Sequence, residues 1–391
     1  MIIPEANRLS TVKEYYFSKK LQEIREMQAQ GMDVINLGIG NPDNPPARET
    51  IEALSAEARN PRNHGYQSYR GIPELRQAIS KWLQDTYGTS LNADSEILPL
   101  IGSKEGIFHI AMAFLNEGDE VLVPNPGYPA YASASQMAGA SIRYYHLDEQ
   151  NDWRIDLEAL EQADLSKVKI MWVNFPNMPT GTDADLAEFQ KLITLAKANQ
   201  FLIVNDNPYS LILNDAPKSI LSVSGAEEVA LELNSMSKSH HMAGWRVGWV
   251  AGRADYLNTI LKVKSNVDSG MFKAVQLAAA KALTTPRQWH DQQNEIYANR
   301  KQLAHKILDL LGCTYSQNQK GMFVWARIPD HCKDAIELSD KCLYDAHVFI
   351  TPGVIFGSQG ERHVRISLCS PENILETSFK RLEPLFKTVT L

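Results

Sequence analysis

The chain has 391 residues, 44% hydrophobic and 22% charged, with 22 Gly and 19 Pro, an ordinary globular composition that excludes disordered and collagen-like classes. A formal charge of −7 without any Lys/Arg-rich run argues against a nucleic-acid partner, and no stretch approaches the ~18 apolar residues of a membrane span. Cys313, Cys332, Cys342 and Cys369 show neither CxxC spacing nor paired histidines, so no metal site or disulfide framework is expected; with no basic, apolar leader at MIIPEANRLS, a cytoplasmic protein is expected.

Residues 11–30 place Val12, Tyr15, Tyr16, Leu21, Ile24 and Met27 at helical spacing, with Gly31 as a stop signal, and so predict a helix. The Tyr15–Tyr16–Phe17 cluster reads as packing on that helix. From about 47 to 285, apolar runs at 120–124, 169–175, 201–206, 229–233 and 246–252 alternate with helix-period segments. That alternation predicts an α/β fold with a mostly parallel sheet covered on both faces. A long polar helical stretch, 286–311, precedes apolar runs at 321–328, 348–353 and 363–369, with helical segments at 333–346 and 371–387. A smaller α+β domain is expected there, joined by the N-terminal segment. The expected division is a large domain over 47–287 and a small one from 1–46 and 288–391.

Ligands of open α/β sheets collect at the carboxyl ends of the strands. Asp206 ends the run FLIVND, with Tyr209 three residues on. Ser235, Ser237 and Lys238 lie off the end of VALEL, and Arg246 follows in AGWRVGW. Gly102 and Ser103 precede a helical pattern, which puts backbone N–H groups and a hydroxyl where a phosphate can sit. A lysine for a Schiff base, a carboxylate for a pyridine nitrogen and a set of phosphate donors together suit pyridoxal phosphate.

These residues lie in GIPELR (71–76), GSKEG (102–106), NPGYPAY (125–131), NFPNMPTG (174–181), NDNPY (205–209), SMSKSHHMAGWRVG (235–248) and VRIS (364–367). With them the chain resembles the class I/II aminotransferases, fold type I pyridoxal-phosphate enzymes, from Gly40 to Arg365 in the expected order. The resemblance implies a large domain built on a seven-stranded sheet between helices. It makes Lys238 the lysine that holds the cofactor and moves the substrate proton, Asp206 the partner of the pyridine nitrogen, and Tyr209 a donor to the ring's phenolic oxygen. Ser103, the backbone at Lys104, Ser235 and Arg246 would hold the phosphate, and Tyr128 would stack on the ring. Tyr66 would reach the phosphate of a neighbouring subunit, which implies a homodimer. Arg365 would clamp the substrate α-carboxylate and Gly40 would line the substrate.

The family places an asparagine directly before Pro-Thr-Gly, and this chain has Met178 there. A local backbone shift could let Asn174 or Asn177 supply the missing polar contact; without one, the phenolic oxygen is expected to rely more heavily on Tyr209. His240 and His241 are adjacent, point to different faces and lack a third ligand, so they read as lining. The implied reaction is amino-group transfer between an L-amino acid and a 2-oxo acid by a ping-pong route, with neutral or broad side-chain specificity. GSKEG and PGYPAY resemble the branch that includes alanine, LL-diaminopimelate and methionine aminotransferases. The alternatives are a lyase on the same scaffold and a non-catalytic cofactor-sensing regulator.

Overall fold

The computed structural model describes residues 2–9 and 16–387. Val12, Tyr15 and the side chain of Phe17, assigned to the first helix from the sequence, lie outside the described residues. The described helix runs over Tyr16–Ala29.

In chain order the first seven strands are β1 (Ile35–Asn36), β2 (Ile97–Leu100), β3 (Glu120–Asn125), β4 (Ser141–His146), β5 (Val168–Val173), β6 (Leu202–Asp206) and β7 (Ala230–Ser235). They continue with β8 (Gly248–Gly252), β9 (Phe323–Arg327), β10 (Val348–Phe349), β11 (Thr351–Pro352) and β12 (His363–Ser367). Seven of them form the central sheet in the order β2-β8-β7-β6-β5-β3-β4. β3 to β7 pair in parallel, and β8 runs antiparallel to both its neighbours, β7 and β2. The chain is therefore α/β with a mostly parallel seven-stranded sheet.

Period-two alternation inside each apolar run decides what faces where. In β5, Ile170 and Trp172 pack with the helix Ser103–Phe114, while Met171 and Val173 pack with Phe189 and Leu192 of the helix Leu186–Asn199 on the other face. In β6, Leu202 and Val204 take the Trp172 side. The same parity carries Asp206, at the strand's carboxyl end, to that side. Asn205 takes the opposite face, where its amide donates to the buried Glu232 at 3.1 Å.

A second core lies under β11-β12-β9, an antiparallel sheet with Arg365 opposite Trp325. The helix Arg287–Leu310 buries Tyr297, Ala304, Ile307 and Leu308 against it, and β1 pairs in parallel with β10, so the N-terminal segment does return to this part of the chain. Three strands escaped the sequence pattern: β1, two residues long and paired with β10, and β2 and β4, both edges of the central sheet.

Candidate active site

Asp206 and Tyr209 come from the end of β6, Lys238 from the short helix Met236–Ser239 after β7, and Ser103 from the helix start that follows β2. All are carboxyl ends of strands that run the same way, β2 included, since β2 and β7 are both antiparallel to β8. Arg246 lies at the entry to β8, and because β8 is reversed its entry meets those same ends.

Asp206 is 5% exposed. Its Oδ2 accepts the hydroxyl of Tyr131 at 2.8 Å, and its Oδ1 is buried with no hydrogen-bond partner. Burial pushes its carboxyl up to about 6, against the opposing pull of the Tyr131 hydroxyl. Tyr131 is itself held by stacking on Trp172, with centroids 5.2 Å apart and planes 8° from parallel, and by Tyr128 edge-on at 5.6 Å. The sequence reading passed over Tyr131. The available signal was its place three residues after Tyr128, one helical turn along, which brings the two rings together.

Lys238 donates through Nζ to the carbonyl of Gly40. Burial, the largest influence, pushes its amine below the ordinary lysine range, and Arg365 and Arg246 push the same way. A less basic amine gives up its proton more readily near neutral pH. Tyr209 meets Phe323 edge-on at 5.9 Å, and burial raises its phenol.

Arg365, on β12, is 6% exposed. Its guanidinium lies over the rings of Phe323 at 3.9 Å and Phe356 at 4.5 Å, and Nη2 donates to the Gly38 carbonyl at 2.7 Å. Nη1 meets Sδ of Met178 at 3.1 Å, while Nε is buried without a partner. Burial brings it down to about 10, which leaves it cationic at neutral pH. Gly40 fits under Phe323, since a Cβ at that position would run into the ring.

The helix Ser103–Phe114 begins without a side-chain cap, its N-cap being Gly102 at φ +81°. A Cβ on Gly102 would run into the Arg246 guanidinium, so glycine there lets the arginine pack against the helix start, where cation and backbone N–H groups stand side by side. Ser235 caps the short lysine helix, accepting Ser237 N at 3.2 Å while its hydroxyl proton stays available. Lys104 is exposed and Tyr66 is 93% exposed.

Of the two asparagines near Met178, only Asn174 has both amide atoms engaged. Asn174 Nδ2 donates to the Asp206 carbonyl at 2.6 Å and its Oδ1 accepts Met178 N at 2.8 Å, so it braces the strand tip. Asn177 Oδ1 accepts both N and Oγ1 of Thr180, and its buried Nδ2 has no partner. His240 packs edge-on to His290 at 5.0 Å, and His241 bonds the Tyr297 hydroxyl at 3.2 Å; burial holds both imidazoles low, His241 at about 4. Among the described residues, Glu105, His109 and Asp268 bring ligand atoms within 4.8 Å of one another. Those acceptors already serve the chain: both Asp268 oxygens take Lys264 Nζ and Glu105 takes Ile101 N. No described helix is long and apolar enough to cross a membrane.

The Aminotransferase class I and II family matches residues 32–377 of the chain. An LL-diaminopimelate aminotransferase of Dehalococcoides mccartyi is 39% identical over 382 residues, covering 96% of this chain and 97% of that protein. The substrate-bound structure of BacF from Bacillus subtilis superposes with a TM-score of 0.93 at 36% identity, covering 98% of each chain. A probable N-succinyldiaminopimelate aminotransferase from Thermus thermophilus gives a TM-score of 0.87 at 30% identity, over 94% of this chain and 99% of that one.

Proposed function

The chain belongs to the class I and II aminotransferases, and from that premise we propose that its site holds pyridoxal phosphate on Lys238 and passes an amino group from an L-amino acid to a 2-oxo acid. The family works with this cofactor. When bound, it supplies an aldehyde carbon for the amine and a cationic ring that draws electrons from the substrate Cα.

The reading rests above all on Asp206, a buried carboxylate with one oxygen taken by Tyr131 and the other without a donor from the chain. A protonated ring nitrogen is the donor that suits it, and a cation there would bring the carboxyl back down from about 6. Ser103, the amide of Lys104, Ser235 and Arg246 hold the phosphate, and the packing of Arg246 against the helix start at Gly102 supports that assignment. Tyr128 covers one ring face, and Tyr209 donates to the phenolic oxygen. Lys238 Nζ takes the proton from the substrate Cα and returns it, as its lowered basicity favours. Arg365 orients the substrate α-carboxylate through a planar fork, with Gly40 beside it. Asn174 and Met178 act on the cofactor only through the backbone and through Arg365.

The walls around Arg365 are Phe323, Phe356 and Met178, apolar groups that suit a neutral side chain, with glutamate and 2-oxoglutarate as one exchange pair. Relatives named LL-diaminopimelate aminotransferase make that amino acid the first donor to set against the neutral ones. The same reading takes 47–287 as the large domain and 1–46 with 288–391 as the small one. It makes the active unit a homodimer completed by the partner's Tyr66, working in the cytoplasm, where four unpaired cysteines are at home. The lyase and regulator alternatives have no such support.

The test supplies the purified chain with pyridoxal phosphate, 2-oxoglutarate and a panel of L-amino acids that includes LL-diaminopimelate, and measures glutamate formed. Turnover is expected from the unaltered chain and none from Lys238→Ala, which should still retain the cofactor without a covalent bond. No glutamate with any donor, or wild-type rates in Lys238→Ala, would overturn the assignment.

A further inference from the structure

The loop after β1 brings two backbone carbonyls into the site: Gly38 O accepts Arg365 Nη2 at 2.7 Å, and Gly40 O accepts Lys238 Nζ. Neither glycine has a side chain with which to anchor itself. The loop is tied at its near end by Ser367 N, from β12, donating to Leu37 O at 2.8 Å. At its far end Asp43 meets Arg300, on the helix Arg287–Leu310, in a bidentate pair: Nη1 to Oδ1 at 2.7 Å and Nη2 to Oδ2 at 2.9 Å. Arg300 is 3% exposed, and Nη1 also donates to the Leu368 carbonyl at 3.1 Å, one residue beyond β12. One guanidinium thus joins the glycine loop, the long helix and the end of the strand that carries Arg365.

We propose that Asp43 and Arg300 form a latch that sets the aim of the Arg365 carboxylate clamp. They are positioning residues and touch neither substrate nor cofactor. The proposal rests on the reading of Arg365 given above and adds the device that fixes its orientation. The physical reason is geometric. Arg365 has one strong acceptor from the chain, the Gly38 carbonyl, because Met178 offers only a thioether. If that carbonyl moves, the fork turns with it, and a bidentate contact tolerates little turning. The phosphate donors and Asp206 stand on other elements and do not depend on the loop.

The experiment uses the cofactor-loaded enzyme and Asp43→Asn, which keeps the size and one acceptor oxygen while removing the charge. The donor KM and the dissociation constant of an unreactive carboxylate, maleate, should both rise about tenfold, with kcat within about threefold of wild type. Cofactor affinity should stay within about twofold. Amide exchange over residues 36–42 should quicken about tenfold or more, while exchange in the central sheet is unchanged. Arg300→Lys, which keeps the charge and loses the fork, should give the same pattern and serves if Asp43→Asn does not fold. Unchanged maleate affinity, unchanged exchange over 36–42, or a fall in kcat and cofactor affinity that tracks global stability would each overturn the latch. A wild-type enzyme that moved no amino group would count against the proposed function instead, and the exchange measurement would still decide the latch.

Discussion

Nη1 of Arg365 rests 3.1 Å from Sδ of Met178, so this buried guanidinium donates to a sulfur on the turn that follows β5. Sulfur is a weak acceptor and cannot donate at all. Arg365 therefore keeps more of its hydrogen-bonding capacity for a ligand than it would beside an amide, and under the proposed function the cofactor's phenolic oxygen would rely on Tyr209.

An asparagine at this position would change both partners. In Met178→Asn the amide can accept from Arg365 and donate to the phenolic oxygen, and a donor there favours its anionic form. A hydrogen bond to a charged group contributes ~1.5–3 kcal/mol, so the pH midpoint of the bound cofactor's visible absorption change should fall by about one to two units. The substitution should also soften the damage done by Tyr209→Phe. A spectrophotometric titration with no change in midpoint would put residue 178 out of reach of that oxygen.

Arg365→Lys should weaken donor binding far more than cofactor retention. The substitution replaces a fork with a point charge and gives up the stacking over Phe323 and Phe356. Losing one charge-assisted bond, roughly 1.5–3 kcal/mol, corresponds to a 10- to 100-fold rise in donor KM. Steady-state kinetics with an unchanged KM would return Arg365 to a purely structural role.

Asp206 links activity to stability in opposite senses. Its carboxyl is raised from 3.8 to about 6, so between those values the folded chain keeps a proton that the unfolded chain has released. Stability of the cofactor-free chain therefore falls as pH rises through that window and stays lower above it. Asp206→Asn should remove the loss, leaving the cofactor-free chain more stable at pH 8 by about 3 kcal/mol while cofactor affinity drops. Urea unfolding of both chains at pH 4 and pH 8 measures the gap, and a gap that does not widen with pH would refute the account.

Tyr66 is 93% exposed in the single chain, and the proposed dimer gives it a destination. Sedimentation should show a homodimer. Lys238→Ala and Tyr66→Ala should each lose activity alone, yet a mixed dimer of the two should regain one intact site, because one site then carries both changes and the other carries neither. Mixed dimers without recovered activity would mean that Tyr66 serves its own chain.

The sequence disclosed most where a residue interrupts a local pattern. Asp206 closes an apolar run, and Lys238 follows another, so parity and strand ends alone point to them. The edge strands were hidden for the converse reason. β2 is ILPL, four residues with a proline that only an edge tolerates, and β4 is SIRYYH, whose polar and exposed positions dilute the apolar signal. Tyr131 and Arg300 were missed because what defines them lies far along the chain: Trp172 stacks on the first, and Asp43 pairs with the second. No window on the sequence contains both members of either pair.

The reversed strand β8 has a bearing on how the molecule is made. β2 has only β8 for a neighbour, and the two are about 150 residues apart in the chain. During synthesis, the segment that begins with Ser103 has no docked strand behind it until Gly248–Gly252 has left the ribosome, and Arg246 arrives at the same moment. Long-range pairing of this kind is slow and late. Under the proposed function the phosphate donors would then be the last part of the site to assemble, and cofactor capture is expected only once the central sheet is complete.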